Sequence, residues 1–286
     1  MKTKLWLALA VAAVMMNGAL NLTDSPRWTL LGGAAAHAGV RVDIGFFYNE
    51  LAPYGYWQPY EPYGWVWYPN VEDDWQPYTI GHWVFTNEYG WIWVSSEPWG
   101  SIPFHYGRWF YDSNYGRWAW VPGTVWGPAW VSWRVGNGFI GWAPLPPTVE
   151  FEPGIGFSAP VRNYGISWHS WCFVPESRFL SPRLEQIIVP RPRNVALLNN
   201  TEDVTHYAVV NERIINRGID IGRLEQIAQT RVPRYRVTEV GRPVPGEMQM
   251  REGQVSLFRP QVIRGSVTSL PPSSALAPTP GAPVEN

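Results

Sequence analysis

Stacked at a period of 26 residues, the middle of this chain aligns with itself, and tryptophan marks the register. The units are "GYWQPYEPYGWVWYPNVEDDWQPYTI" (55–80), "GHWVFTNEYGWIWVSSEPWGSIPFHY" (81–106), "GRWFYDSNYGRWAWVPGTVWGPAW" (107–130) and a decayed fourth, "VSWRVGNGFIGWAPLP" (131–146). The first three open with G-x-W at Trp57, Trp83 and Trp109, and the fourth supplies Trp133 without the glycine. A turn follows, then W-x-W as Trp65/Trp67, Trp91/Trp93 and Trp118/Trp120, reduced to Trp142 in the fourth. One more tryptophan closes each of the first three units: Trp75, Trp99 and Trp126.

Each unit reads as a β-hairpin. Aromatic and β-branched residues flank "PYG", "EYG", "NYG" or "GNG", where glycine supplies the positive φ that tight hairpin turns require. Asn137-Gly138 is the most specific of these turn signals. W-x-W at period two puts both rings on one face of a strand. The residues between them, Val66, Ile92 and Ala119, make the other face apolar too. Strands apolar on both faces are covered on both, so the hairpins are expected to stack or close on one another.

Between residues 55 and 145 there are 15 tryptophans against 13 valines, isoleucines and leucines, and no methionine. A buried aromatic side chain withdraws roughly 150–250 Å² from water, so tryptophan has to be the main core residue. The connector rings are set differently, among Pro, Gly and acidic residues where loops are expected. Each either caps the neighbouring hairpin or stands exposed, one per repeat. Exposed, Trp75, Trp99 and Trp126 are the candidate ligand-binding residues, able to stack on sugar rings or anchor a partner.

The ends of the chain read differently. Lys2 and Lys4 precede the apolar run "LWLALAVAAVMM" (5–16), which is too short to span a membrane. With Ala36-His37-Ala38 as a small-x-small site, residues 1–38 are expected to be an export signal cleaved before Gly39; an earlier cut near Ala19 is the alternative. The repeat domain then covers 39–180, ending in an aromatic strand with Trp168 and Trp171. Residues 181–265 lack tryptophan and read as a small α+β module or an extension packed on the repeats. In it, strands flank Asn211-Glu212, Asp220 caps a short helix over 220–229, and 234–240 and 254–260 are strands. The Pro/Ser/Ala-rich tail, 266–286, is expected to be disordered. The fold class is therefore mainly β: tandem Trp-rich hairpins, a small α+β module and a disordered tail.

Charge narrows the functions. Net charge is −1, split as 6 Arg against 12 acidic residues over 39–180 and 13 Arg against 10 over 181–286. That excess is too weak for nucleic acid, and no transmembrane segment is expected after signal cleavage. The one cysteine, Cys172, excludes an intrachain disulfide framework. His169 and Cys172 invite a thiol-nucleophile reading, but a lone cysteine between Trp171 and Phe173 is more often simply buried. His82, His105, His169 and His206 lack metal-ligand spacing, and Glu72-Asp73-Asp74 lacks the spaced oxygens of a calcium loop. No cofactor, metal or catalytic residue is assigned, and nothing demands an enzyme.

"FFYNELAPYGYW" (46–57), the W-x-W repeats, "VWGPAWVSW" (125–133), "GWAPLPP" (141–147) and "NNTEDVTHYAVVNERIINRGIDIGRLEQI" (199–227) resemble an uncharacterised family of exported, Trp-rich bacterial proteins, a domain of unknown function. The resemblance runs over about residues 40–265. It implies export and a shared architecture, and no activity. A likeness to choline-binding cell-wall repeats rests only on Gly-Trp hairpins of shorter period, so no choline site is carried over. The expectation is a non-enzymatic exported envelope module binding polysaccharide or peptidoglycan. The alternatives are an envelope protein-interaction factor docking through the Arg-rich region, or, more weakly, a cell-wall-acting enzyme.

Overall fold

All four repeats are antiparallel hairpins in the computed structural model, which describes residues 40–152, 156–157, 165–264 and 270–277. The expected export signal, 1–38, and the last residues of the tail lie outside the described residues. Strand β1 (Arg41–Asp43) leads into helix α1 (Ile44–Leu51). The hairpins are β2 (Gly55–Tyr60) with β3 (Gly64–Pro69), β4 (Gly81–Thr86) with β5 (Gly90–Ser95), β6 (Arg108–Asp112) with β7 (Arg117–Val121), and β8 (Val131–Gly136) with β9 (Phe139–Pro144). Then come β10 (Phe151–Glu152), β11 (Gly156–Phe157), β12 (Cys172–Pro175), α2 (Asn194–Asn199), β13 (Glu202–Asp203), β14 (Tyr207–Val210) and β15 (Arg213–Asn216). Helix α3 (Ile221–Ala228), β16 (Arg234–Val240), β17 (Met250–Arg251), β18 (Gln254–Phe258) and β19 (Gln261–Ile263) follow.

The registers explain the repeat motif. Trp57 faces Trp67, Trp83 faces Trp93, Trp109 faces Trp120 and Trp133 faces Trp142, so each hairpin carries one directly opposed tryptophan pair. The glycine of G-x-W makes room for it. A Cβ on Gly55, Gly81 or Gly107 would lie 2.2, 2.3 and 2.1 Å from the carbonyl of Tyr68, Val94 and Val121 respectively. It would also touch the partner ring of Trp67, Trp93 or Trp120 at 2.6–2.8 Å. No side chain fits there.

The hairpins form neither a row nor a single ring. β3 pairs with β7 through Trp67 and Trp120, giving the four-stranded order β2-β3-β7-β6. The second hairpin is central in a seven-stranded sheet, β14-β15-β5-β4-β16-β18-β17, joined on both sides by parallel pairings. The fourth lies in β12-β9-β8-β13. Thirteen of the repeat tryptophans, all but Trp65 and Trp130, are buried in one continuous cluster reached from all three sheets. The described residues form one compact unit, in which strands from 181–265 share sheets with the repeats.

Several local expectations take definite form. Asn137, Asn211 and Glu212 have positive φ, at the turns where they were expected. Asp220 caps α3 by accepting from the Arg223 amide at 2.7 Å. Helix α1, not anticipated from the sequence, is capped in the same way by Asp43 on the Phe46 amide. The aromatic strand expected around Trp168 and Trp171 begins one residue later, at Cys172, and leaves Trp168 exposed in a 3₁₀ turn. Within the tail, residues 270–277 pack on the first hairpin: the Ala277 amide donates to the Trp57 carbonyl at 3.0 Å, and Ala275 is buried.

Candidate binding surface

The sheet β2-β3-β7-β6 turns Trp57, Trp67, Trp109 and Trp120 toward the core, so alternation sends Tyr56, Gln58, Tyr60, Val66, Tyr68, Phe110, Arg117 and Ala119 to its other side. Val66 and Ala119 are fully buried there, beneath tyrosines of the same sheet rather than beneath another layer. Tyr56 stacks on Tyr68 at 5.2 Å with an interplanar angle of 12°. Tyr60 and Tyr63 lie nearly parallel at 6.3 Å, and Phe110 meets both at 5.1 and 5.6 Å. Tyr115 at the β6–β7 turn is more than half exposed, and Tyr56, Tyr60, Tyr63 and Phe110 keep part of their surface in solvent.

Polar contacts fix the rings. The buried Tyr68 hydroxyl donates to Asp112 Oδ2 at 2.6 Å, and burial, reinforced by that bond, holds its pKa far above the ordinary tyrosine value. Gln58 Nε2 donates to the Tyr115 hydroxyl at 2.8 Å, and Arg117 Nη1 reaches the Tyr56 hydroxyl at 3.4 Å. The result is a preorganised array of aromatic faces interleaved with amide and guanidinium groups. Such an array offers ring stacking and hydrogen bonds together.

The three connector tryptophans are placed differently from the exposed-ring expectation. Trp75, Trp99 and Trp126 are 8, 6 and 9% exposed. Trp75 and Trp99 meet each other at 5.8 Å and pack on Trp109, and Trp99 sits edge-on to Trp67 at 5.1 Å. Trp126 lies between Tyr89 and a parallel His105 ring. Of the two sequence readings, the buried, capping one fits, with each ring packed against aromatic residues of other repeats: Trp75 on Trp109, Trp99 on Trp67 and Trp109, and Trp126 on Tyr89. These rings have no open face for a sugar.

Under Trp75 lies Glu97. Its carboxylate accepts the Trp75 indole N–H at 2.7 Å and bonds Ser95 Oγ at 3.1 Å, and burial pushes its pKa up to about 8 despite both bonds. It is a structural acid, held neutral in an aromatic shell.

His169 and Cys172 are not assembled as a pair. The His169 ring stacks on exposed Trp168 and its Nδ1 bonds Ser167 Oγ, while Cys172 is buried and bonded by Gln76 Nε2 at 3.1 Å. Burial raises the thiol to about 12, which suppresses thiolate. We therefore expect native protein to react with a thiol reagent at pH 8 at least about 100-fold more slowly than urea-unfolded protein. Comparable rates would contradict the burial. Among the described residues, no group of three or more His, Cys, Asp and Glu side chains is placed to hold a metal, and no helix is long and apolar enough to cross a membrane.

The fold and this surface define a mainly β protein whose hairpins share a tryptophan core and whose first and third repeats present a tyrosine-rich face. Residues 48–149 match the model of a family described as a family of unknown function (DUF6600). The match takes in all four repeats and agrees with the resemblance to an uncharacterised family, over a shorter stretch. No curated protein and no solved structure matches the chain.

The tyrosines escaped the sequence reading, although "GYWQPYEPYGWVWYP" carries the signal. Tyr56 and Tyr60 alternate with Trp57, which sends them to the opposite side. The pairing of β3 with β7, which adds Phe110 and Tyr115 to the same face, has no local signature.

Proposed function

We propose that this protein is an exported, non-enzymatic module of the cell envelope that binds polysaccharide or peptidoglycan through the tyrosine face of β2-β3-β7-β6. The basic-apolar N-terminus ending in Ala36-His37-Ala38 supports export. The single observation that carries binding is the set of part-exposed rings on one face, Tyr56 stacked on Tyr68 and Tyr60 stacked on Tyr63 with Phe110 tilted against both, with Gln58 and Arg117 among them. This face replaces Trp75, Trp99 and Trp126 as the proposed site. A rigid aromatic platform presents large contact area at little entropic cost.

The test is retention on insoluble peptidoglycan and on a panel of bacterial polysaccharides. The double substitution Tyr60→Ala/Tyr63→Ala should weaken binding at least about tenfold, with thermal unfolding shifted by only a few degrees. Unchanged retention would remove this face from consideration. The protein-interaction reading has one observation of its own: β14 ends the seven-stranded sheet, with Val209 and Val210 exposed and no strand on its outer edge among the described residues. Such an edge can accept a partner strand.

A further inference from the structure

Beside the tyrosine face is a cleft of about 770 Å³, bounded by the β2–β3 turn, α1, the start of β6 and the segment around Glu150–Glu152. Tyr63 and Val121 belong to both the face and the cleft, so the two are continuous. The volume suits a ligand segment rather than a few waters. Four charged side chains line the cleft: Arg108, Arg264, Glu150 and Glu152. None is within 4.0 Å of an opposite charge among the described residues.

Arg108 is the best fixed of them. Its guanidinium lies 3.9 Å over the Trp130 ring, with Nε donating to the Val149 carbonyl at 3.1 Å and Nη1 to the Gly107 carbonyl at 2.7 Å. Burial lowers its pKa only to about 10, so it remains a cation at neutral pH. Its Nη2 makes no hydrogen bond to any described residue.

The charge pattern discriminates among ligands. A purely anionic segment in the cleft would be repelled by Glu150 and Glu152, and a purely cationic one by Arg108 and Arg264. A neutral sugar would desolvate four charges without pairing them, which is costly. A segment carrying both carboxylate and ammonium groups can pair with both signs.

Resting on the tyrosine-face reading, we infer that the ligand is a glycan strand bearing short zwitterionic peptides, the chemistry of peptidoglycan, with sugars on the tyrosines and a peptide in the cleft. Tethering the two segments makes the second contact intramolecular, so each strengthens the other.

Three probes test this on the full chain by calorimetry: a disaccharide carrying its peptide, the same disaccharide stripped of peptide, and the free peptide. The peptide-bearing probe should bind at least about tenfold tighter than the stripped one. The combined substitution Glu150→Gln/Glu152→Gln/Arg264→Gln should bring that ratio toward one. It spares Arg108, whose packing on Trp130 makes it a risk to folding. Equal affinity for the two saccharides in the unaltered protein would overturn the peptide assignment and leave the tyrosine face standing. Binding of the free peptide as tight as that of the peptide-bearing saccharide, with none to the stripped saccharide, would overturn the sugar platform. No binding to any probe would overturn both.

Discussion

The stability of this protein should be level on the mildly acidic side of neutrality and fall as pH rises from about 6.5 to 8, owing to Glu97. Its folded-state pKa is raised from 4.5 to about 8, chiefly by burial. Below the unfolded value both states are protonated and the acid costs nothing. Between the two values the unfolded chain releases its proton while the folded chain keeps it, so stability drains away with rising pH and levels off above about 8. At 1.4 kcal/mol per unit the loss is several kcal/mol, up to about 5. His105 works in the opposite direction. Burial lowers its pKa from 6.5 to about 4, so the folded state loses stability as pH falls across that window, by about 3 kcal/mol. Where the two windows overlap, from about pH 4.5 to 6.5, the opposing slopes cancel into a plateau, and the net alkaline loss falls between about 6.5 and 8 and comes to about 2 kcal/mol. Urea midpoints measured from pH 4 to 9 should trace this curve. Glu97→Gln should abolish the alkaline fall and, with the opposing slope gone, let stability rise from about pH 4 to 6.5 and stay level above it. Parallel curves for the two proteins would show that Glu97 is not held neutral.

The second large effect separates tryptophans that look alike in sequence. Trp133 and Trp93 are both fully buried and both face a partner across a hairpin. The Trp133 indole donates to Asn216 Oδ1 at 2.9 Å, whereas the Trp93 N–H finds no acceptor. Both Trp→Phe substitutions lose ring volume, at a comparable cavity cost. Trp133→Phe also removes the shorter of the two bonds accepted by Asn216 Oδ1, which keeps the Gly218 amide at 3.3 Å, while Trp93→Phe removes a donor that was buried without a partner. Losing one hydrogen bond to an acceptor that keeps another costs about 1 kcal/mol, and removing a buried orphan recovers about 1–3 kcal/mol. Trp133→Phe should therefore be the more damaging by about 2 kcal/mol in urea denaturation. Equal losses would mean that ring volume alone sets the energetics.

These contrasts mark the limit of what the sequence discloses. Hairpins are local: the turn glycines, the alternation and the Asn137-Gly138 and Asn211-Glu212 turns lie within a few residues of the strands they join. The caps at Asp220 and Asp43 are equally local, and the second was there to be read. Which hairpin meets which is not local. Trp67 pairs with Trp120 rather than with a residue of the intervening hairpin, and β15 and β16 flank the second hairpin from more than a hundred residues away. The connectors deceived for a related reason. Pro, Gly and acidic residues announce a change of direction, but not that Glu97 folds inward, neutral, beneath the Trp75 N–H. The tyrosine face was half legible, since its Tyr56/Tyr60 alternation lies in one strand and its Phe110 and Tyr115 flank arrives with another.

The pairing of the first hairpin with the third has a consequence for how many units such a chain can hold. In an array where each unit touches only its sequence neighbours, copies can be gained or lost one at a time and folding can spread from any of them. Here the second hairpin leaves its neighbours for another sheet, and the gap it skips is closed by the third. Duplicating or excising one unit would shift every later hairpin into the wrong sheet. The count of four is set by closure of a single interior, and the first sheet must wait during folding until the chain has run through its third unit.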